Sequence, residues 1–321
     1  MDLTSRVYIA GHNGLVGSAV ARALARLGYR DVITRSRAML DLRDSRALAQ
    51  FLATVRPDAI FLAAAKVGGI WANDAQPAEF IRDNLVIQAN VIHEAAMAGV
   101  KSLLFYGSSC MYPRDAAQPI REDQLLAGKL ETTNRPYGVA KIAGVELCWA
   151  YNRQHATRFL CVVPAGVYGP GDNYDLRASH VLPALIRRFH EAKERGDTEV
   201  TLWGTGAPLR EFLHCDDLAA ASIYLMELDP ERLSPLFAGN QPPLINIGGG
   251  IELSIMDLAE RVRELVGAKV DIVWDKTKPD GTPRKALDAH RLSNIGWHPT
   301  VDFDVGLRTA YADFLDRRVR T

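Results

Sequence analysis

Short apolar runs alternate with amphipathic stretches through the first half of the chain. The apolar runs predict strands buried on both faces, and the stretches with helical spacing predict helices packed against them. The predicted strands lie at 6–10, 31–34, 59–64, 102–106 and 158–163, and the helices at 15–27, 44–55, 77–98 and 136–153. This alternation predicts an α/β fold with a Rossmann-type doubly wound parallel sheet.

The pattern becomes less regular after Pro164, where Gly- and Pro-rich segments interrupt it. We therefore expect residues 1–165 to form a Rossmann domain, and residues 166–321 to form mainly a smaller, interleaved α/β substrate domain. The apolar run 244–247 predicts a strand that returns to the main sheet, so parts of 212–248 would rejoin the first domain. Two further helices are predicted, at 254–266 and 303–317.

Two of the predicted helices are apolar nearly all round, from Phe80 to Ala98 and from Val139 to Tyr151. Such a helix must be buried on more than one side. Either the monomer encloses both helices, or two copies of the chain pack them together. The pattern alone leaves both arrangements open.

Composition limits the classes of function. Lys plus Arg and Asp plus Glu both total 38, so the net charge is zero and does not favour nucleic acid or an anionic membrane as partner. No run is long and apolar enough for a membrane helix, and no signal-peptide pattern is found. The four cysteines form no C-x-x-C, so we expect no metal, no disulfide framework and a reducing, cytoplasmic setting.

A glycine-rich segment lies between the first predicted strand and the first predicted helix. Glycine permits the tight turn and lets backbone N–H groups approach a pyrophosphate, while the helix N-terminus favours the anion. This position makes the glycine triplet a specific signal for a dinucleotide. The predicted cofactor contacts in this segment are Gly11, Asn13, Gly14, Leu15, Val16 and Gly17.

The end of the second strand indicates which dinucleotide binds. Arg35 and Arg37 favour NADP(H), because a guanidinium pairs with a 2′-phosphate in a fork; the alternative is that both are solvated surface residues. Asp41 is a candidate for hydrogen bonding to the adenine. In a doubly wound sheet, ligands bind outside the carboxyl ends of the strands. Further predicted contacts near Asp41 and at the ends of later strands are Leu42, Ala63, Ala64, Tyr106, Pro164 and Val167.

Three residues predict hydride transfer to or from a carbonyl. Tyr137 and Lys141 are four apart on a predicted helix and share a face. We expect the ammonium to lower the pKa of the phenol, so that Tyr137 donates a proton to the carbonyl oxygen, while Lys141 also holds the nicotinamide ribose. Ser108, at the end of the fourth strand, would polarise the same carbonyl.

Cys110 suggests a second kind of chemistry. In an extended loop its thiol would point to the same side as Ser108, where it could move a proton on a carbon beside the ketone. The alternative is packing, the usual role of a free cysteine, and the pattern leaves both open. His180 is the candidate partner, since imidazole both gives and takes a proton. His214 is a rival for which a structural role is expected.

Several segments resemble the GDP-L-fucose synthase family of the extended short-chain dehydrogenase/reductase superfamily. The Tyr-x-x-x-Lys pair and the glycine loop mark only the superfamily. The segments Gly107-Ser-Ser-Cys110, Ser179-His-Val181 and Lys278-Pro-Asp-Gly-Thr-Pro-Arg-Lys285 are more specific. The resemblance implies 3,5-epimerisation and NADPH-dependent 4-reduction of GDP-4-keto-6-deoxy-D-mannose.

The resemblance also implies a role for each site residue. Ser108, Tyr137 and Lys141 would carry the reduction, with Cys110 as the base and His180 as the acid of epimerisation. His180 would also contact the cofactor. The family is homodimeric, which implies a dimer through helices 77–98 and 136–153. The implied contacts to the GDP-sugar are Arg188, Trp203, Arg210 and Asp280.

The sequence departs from the family at two positions, and rival functions remain. Asn13 stands where some members carry Arg, and Gly166 replaces a polar residue, which weakens the NADP assignment. One rival is a colitose-type enzyme that epimerises only C5, and another is a single-function nucleotide-sugar reductase in which Cys110 only packs. A non-catalytic binding protein is disfavoured, because it has no chemical reason to retain Ser108 with Tyr137 and Lys141.

Overall fold

A computed structural model describes residues 1–278 and 280–319. Pro279, which belongs to the family-like segment, and the last two residues of the predicted second domain lie outside the described residues. The strands are β1 (Val7–Ala10), β2 (Val32–Thr34), β3 (Ala59–Leu62), β4 (Ser102–Tyr106), β5 (Arg158–Pro164), β6 (Gly166–Tyr168), β7 (Glu199–Trp203), β8 (Leu209–His214), β9 (Leu244–Ile247), β10 (Ile251–Ser254), β11 (Asp271–Asp275) and β12 (Arg284–Lys285). The helices are α1 (Leu15–Leu27), α2 (Ser45–Val55), α3 (Ile70–Ala75), α4 (Pro77–Met97), α5 (Arg135–His155), α6 (Val181–Arg195), α7 (Cys215–Glu227), α8 (Pro230–Phe237), α9 (Ile255–Val266), α10 (His290–Asn294) and α11 (Phe303–Val319).

The main sheet has six parallel strands in the order β2-β1-β3-β4-β5-β9. Val7 of β1 pairs with Val32 of β2 on one side and with Ala59 of β3 on the other. The strand order therefore reverses at β1: β2 lies on one side of it, and β3 and the later strands lie on the other. The segments after β1 and β3 begin close together and then lead to opposite sides of this strand pair, which leaves a crevice at the carboxyl ends of the strands. This confirms the predicted doubly wound parallel sheet, including the return of 244–247 to its edge.

Local sequence explains where the first helix begins and ends. Alanine and leucine at helical spacing bury one face of α1 against the sheet, including Ala19, Ala23 and Leu24. The helix ends at Gly28, whose φ of 88° is in the left-handed region that favours glycine. The predicted range 15–27 is therefore confirmed at both ends.

The second half contains two smaller sheets that the sequence pattern did not resolve. In one, β8 pairs with β10, β12 and β6, and in the other, β7 pairs with β11. A second hydrophobic cluster packs between α6, α9 and α11 and includes Phe189, Val262 and Phe314. The first cluster surrounds the six-stranded sheet and includes α7 and β9.

A buried asparagine joins three distant segments behind the main sheet. Asn246 on β9 is fully buried, and its Oδ1 accepts a 2.6 Å hydrogen bond from the Tyr112 hydroxyl. Its Nδ2 donates to the carbonyls of Ile120 and Asp288 at 2.8 and 3.1 Å, and its N–H donates to Glu122 at 2.9 Å. Because each partner is held by a buried polar group, the loop 112–124 and the segment 286–291 are fixed to the sheet edge.

The two apolar helices, α4 and α5, pack against each other. Ile92 and Val145 are fully buried, and Gly144 is in close contact with Phe105. On α5, Val139 remains 40% exposed, and Ile142 is only partly buried. The described chain thus leaves an apolar face of α5 open. No helix among residues 1–278 and 280–319 is long and apolar enough to cross a membrane.

Candidate active site

A large cleft lies at the carboxyl ends of the main sheet and continues toward the second hydrophobic cluster. Its volume is about 1680 Å³, and residues from both halves of the chain line it. Single small-molecule sites commonly span roughly 300–1,000 Å³. The cleft is therefore large enough for two ligands side by side.

The glycine loop forms one end of this cleft. Gly11 has a φ of 93°, and a Cβ there would lie 2.6 Å from the backbone nitrogen of Ala64. Gly17 would likewise bring a Cβ into the Gly11 carbonyl. Gly14 provides no side-chain cap, so no capping side chain occupies the first N–H groups of α1, and the residues that carry them line the cleft. This backbone geometry fits a dinucleotide cofactor, and all six predicted loop residues line the cleft.

Arg35 and Arg37 both line the cleft beyond the end of β2. The Arg35 guanidinium donates to the Thr34 carbonyl at 2.8 Å and lies 5.3 Å from the centre of the Phe51 ring. The Arg37 side chain is 74% exposed and lies 3.7 Å from the Asp41 carboxylate. Both guanidiniums therefore keep donors available for an anion.

Asp41 is held in place by another arginine. Its carboxylate receives four hydrogen bonds from Arg43, the shortest at 2.7 Å, and these lower the pKa of Asp41 to about 2. A carboxylate charged at neutral pH can accept a hydrogen bond from an adenine amino group. The other predicted cofactor residues also line the cleft: Leu42, Ala63, Ala64, Tyr106, Pro164 and Val167.

The three reductive residues come together, but their electrostatics differ from the sequence expectation. Burial raises the pKa of Tyr137, the charge of Cys110 adds to this rise, and the Ser108 hydroxyl opposes it. Lys141 donates to the Tyr106 carbonyl at 2.8 Å, and burial lowers its pKa to about 7. The pKa of Tyr137 is therefore raised, whereas the sequence predicted that Lys141 would lower it. Burial disfavours the charged form of both groups, which are the phenolate of Tyr137 and the ammonium of Lys141.

Cys110 lies in the cleft, in a single 3₁₀ turn that Ser108 caps. Its N–H donates to the Ser108 hydroxyl at 3.3 Å, so the predicted extended loop stops at residue 108. The thiol is partly exposed, whereas the other three cysteines are buried. Asn134 donates to the sulfur at 3.2 Å, and the Lys285 ammonium lies 4.0 Å from it. Cys110 is therefore in a polar site and differs from the packed cysteines.

His180 faces the same cleft from the start of α6. Its surface is accessible from the cleft, but protein surrounds the ring and lowers its pKa by reducing hydration. Gly69 packs against the Ser179 carbonyl and donates to the Ala178 carbonyl at 2.9 Å, which fixes the loop that carries His180. His214 instead caps α7 through the N–H of Asp216, as expected of a structural histidine.

The four residues implied for the GDP-sugar do not all reach the cleft. Arg210 lines it and donates to the Thr282 carbonyl at 2.6 Å, and burial lowers its pKa. Trp203 and Asp280 line the cleft rim; Trp203 is 60% exposed. Arg188 lies on α6 outside the lining, and its guanidinium donates to the Thr201 carbonyl at 3.3 Å.

Three notable residues that line the cleft were not predicted as site residues from the sequence. Asn134 immediately precedes the Arg-Pro pair that opens the predicted helix, and Lys285 ends the family-like segment, so both had positional signals. Asp172 follows the Gly-Pro-Gly loop. Burial raises its pKa to about 7, and its Oδ2 has no hydrogen-bond partner among the described residues.

One group of side chains outside the cleft has metal-ligand chemistry. Ligand atoms of His214, Cys215 and Asp216 lie within 4.8 Å of one another. However, Arg22 and Arg26 contact the Asp216 carboxylate at 3.0 and 3.5 Å, and two guanidiniums oppose cation binding. This group therefore supplies no argument for a metal centre.

Comparisons with known proteins agree with this geometry. The chain is 49% identical to a GDP-L-fucose synthase from Escherichia coli K12 over 318 residues, which cover 98% of each chain. It is also 49% identical to GDP-L-fucose synthase 1 from Arabidopsis thaliana over 314 residues, which cover 98% of this chain and 94% of that one. A crystal structure of a GDP-6-OMe-4-keto-L-xylo-heptose reductase from C. jejuni superposes with a TM-score of 0.93 at 34% identity, over 99% of each chain. A profile of the NAD dependent epimerase/dehydratase family matches residues 7–247. The chain belongs to the NAD dependent epimerase/dehydratase family.

Proposed function

We propose that this protein is a GDP-L-fucose synthase. It would invert C3 and C5 of GDP-4-keto-6-deoxy-D-mannose and reduce C4 with NADPH, giving GDP-L-fucose and NADP⁺. The observation that carries this proposal is the placement of Cys110 and His180 in one cleft with Ser108, Tyr137 and Lys141. The high identity to relatives of that name supports the same conclusion.

In the reduction, NADPH supplies the hydride, and the protein supplies the proton. Because its pKa is raised, Tyr137 is protonated at neutral pH and can donate to the C4 oxygen as the alcohol forms. The Ser108 hydroxyl, which interacts with the phenol, holds the same oxygen. Lys141 is fixed by its hydrogen bond to the Tyr106 carbonyl and would hold the nicotinamide ribose.

In the epimerisation, protons move on the carbons beside the C4 ketone. Cys110 takes the proton from C3 or C5, the electron pair passes into the enolate, and His180 returns a proton to the opposite face. The enolate oxygen is the C4 oxygen, which Ser108 and Tyr137 already face. The same hydroxyl groups thus serve both reactions.

The remaining contacts follow the shape and charge of the cleft. Arg35 and Arg37 would bind the 2′-phosphate of NADPH in place of the arginine that is missing at Asn13. Arg210 has the charge for the substrate diphosphate, and the exposed Trp203 ring offers a face to the base. Asp280 is fixed by Thr205 at the rim. Arg188 stays a prediction, since it lies outside the lining.

The two halves of the chain would divide the work. The two hydrophobic clusters support an NADP-binding unit over 1–165 with parts of 212–248, and a substrate unit over most of 166–321. The open apolar face of α5 supports a homodimer that pairs α4 and α5 of two copies. Four cysteines without disulfides support a cytoplasmic setting.

The main test follows isotope into the product. We expect incubation with GDP-4-keto-6-deoxymannose and NADPH in deuterated water to place deuterium at both C3 and C5 of GDP-fucose, read by NMR. Deuterium at C5 alone would indicate the colitose-type rival, and none would indicate a simple reductase. Cys110→Ser is expected to slow exchange by about 100-fold or more, with NADPH binding retained. Normal exchange in that variant would remove Cys110 from the proposal.

Tyr137→Phe separates the two reactions. Without the phenol proton, the reduction should slow by about 100- to 10,000-fold, the usual contribution of a general acid. Exchange at C3 and C5 should slow much less, because Ser108 still faces the C4 oxygen and Cys110 and His180 are untouched. The measurement is NADPH oxidation at 340 nm alongside NMR of the substrate without NADPH. Equal loss of both reactions would contradict the assigned roles.

Arg35→Ala tests the cofactor preference. Loss of one charged hydrogen bond to a phosphate should raise the KM for NADPH about tenfold, with the KM for NADH unchanged. Arg46→Ala on the exposed side of α2 is the matched control and should alter neither value. An equal rise in KM for NADPH and NADH would show that Arg35 does not bind the 2′-phosphate.

Val139→Glu tests the dimer. Wild-type protein should elute with the mass of two chains in size exclusion with light scattering, and a charge on the apolar face of α5 should yield monomers. Val305→Glu on α11, with a similar 45% exposure, should remain dimeric. A monomeric wild-type mass would contradict the homodimer.

A further inference from the structure

We propose that Lys285 is a positioning residue whose ammonium stabilises the thiolate form of Cys110. This inference rests on the proposed role of Cys110 as the epimerisation base. The Lys285 nitrogen lies 4.0 Å from the Cys110 sulfur, although 175 positions separate the two residues in the chain. The contact joins the cleft edge of the main sheet to the short strand β12.

Hydrogen bonds on both sides hold Lys285 in this position. Within β12, Lys285 pairs in register with Arg210 of β8. The next residue, Ala286, accepts from the N–H of Ile120 at 2.8 Å and donates to the Gln118 side chain at 3.0 Å. Leu287 donates its N–H to Glu211 at 2.8 Å. The backbone that carries Lys285 is therefore tied to the loop that follows Cys110.

The sulfur lies between two donors. Asn134 donates to it at 3.2 Å from the start of α5, and the Lys285 ammonium approaches from β12. Asn134 is itself fixed, because its N–H donates to the Glu131 carboxylate at 3.3 Å. Hydrogen bonds and a nearby positive charge both favour the charged form of an acid.

The other charged or titratable groups around Cys110 are engaged elsewhere or face the cleft. Arg284 is paired with Glu252 at 2.6 Å, and Glu131 accepts from Thr133. Tyr137 on α5 interacts electrostatically with the sulfur. Tyr112 and Arg114 line the small pocket beside Cys110, and the groups that line the adjoining cleft include Lys141, His180, Arg210 and Glu211.

The chemistry explains why this cation matters. A thiolate accepts the carbon-bound proton, so the C–H bond breaks, an S–H bond forms, and the electron pair enters the enolate. A neutral thiol cannot accept it. By holding the negative charge before the transfer, Lys285 increases the fraction of Cys110 that is ready to act as a base. The proton then leaves the sulfur for solvent, and the charge pair forms again.

Alkylation measures this thiolate directly and needs no substrate. Cys110 is partly exposed and the other three cysteines are buried, so iodoacetamide reports on Cys110. We expect Lys285→Met to lower the alkylation rate about tenfold near neutral pH and to move its pH profile to higher pH. Lys285→Arg should retain most of the rate. Lys276→Met, at an exposed lysine outside the cleft lining, should match wild type.

Isotope exchange provides the second measurement. Lys285→Met should lower kcat for exchange at C3 and C5 with little change in KM, and higher pH should restore the rate. A raised KM with unchanged alkylation would assign Lys285 to substrate binding and overturn the inference. If Lys285→Met fails to fold, judged by circular dichroism and NADPH binding, Lys285→Gln carries the same expectations.

The two proposals fail in different ways. Suppose that the alkylation rate is unchanged in Lys285→Met and Lys285→Gln, and that Cys110→Ser loses exchange. This result overturns the role of Lys285 and leaves the proposed function intact. Normal exchange in Cys110→Ser overturns the role of the base. In that case the role of Lys285 falls with it, whatever alkylation shows.

Discussion

A close approach of two backbones at the end of β1 constrains the rest of the structure. A side chain at residue 11 would collide with the backbone of Ala64, so the loops after β1 and β3 meet only because Gly11 is glycine. The pairing of β1 with both β2 and β3 creates this meeting point. The residues that begin α1 line the cleft beside this meeting point, so the proposed cofactor and substrate sites share one edge of the sheet.

In the proposed mechanism, a few hydroxyl groups at that edge serve two kinds of chemistry. Both reactions develop negative charge on the same ketone oxygen, since reduction forms an alkoxide there and proton removal forms an enolate. One set of donors, Ser108 and Tyr137, can therefore stabilise both. A raised pKa for Tyr137 suits this double use, because the phenol remains a donor at neutral pH. A permanent phenolate would repel either anion.

Sequence periodicity predicted the elements of the six-stranded sheet because each is a continuous run packed against helices close by in the chain. It predicted much less of the second half. The strand β12 has two residues, and its partner β8 lies more than 70 positions away. Pairing of this kind leaves no periodic signal. The neighbours of Cys110 were missed for the same reason, since Asn134 and Lys285 reach the sulfur only after the chain has folded.

The two proposed reactions depend on partly different segments of the chain, although the proposed base Cys110 lies beside Ser108. Ser108 follows β4, and Tyr137 and Lys141 lie on α5, whereas His180 immediately precedes α6 and Lys285 lies on β12 in the second half. Substitutions at His180 or Lys285 could therefore impair inversion at C3 and C5 while hydride transfer at C4 survives. The reverse loss is harder, because inversion uses the oxygen-binding groups of the reductase. The architecture thus permits divergence toward pure reductases more readily than toward pure epimerases.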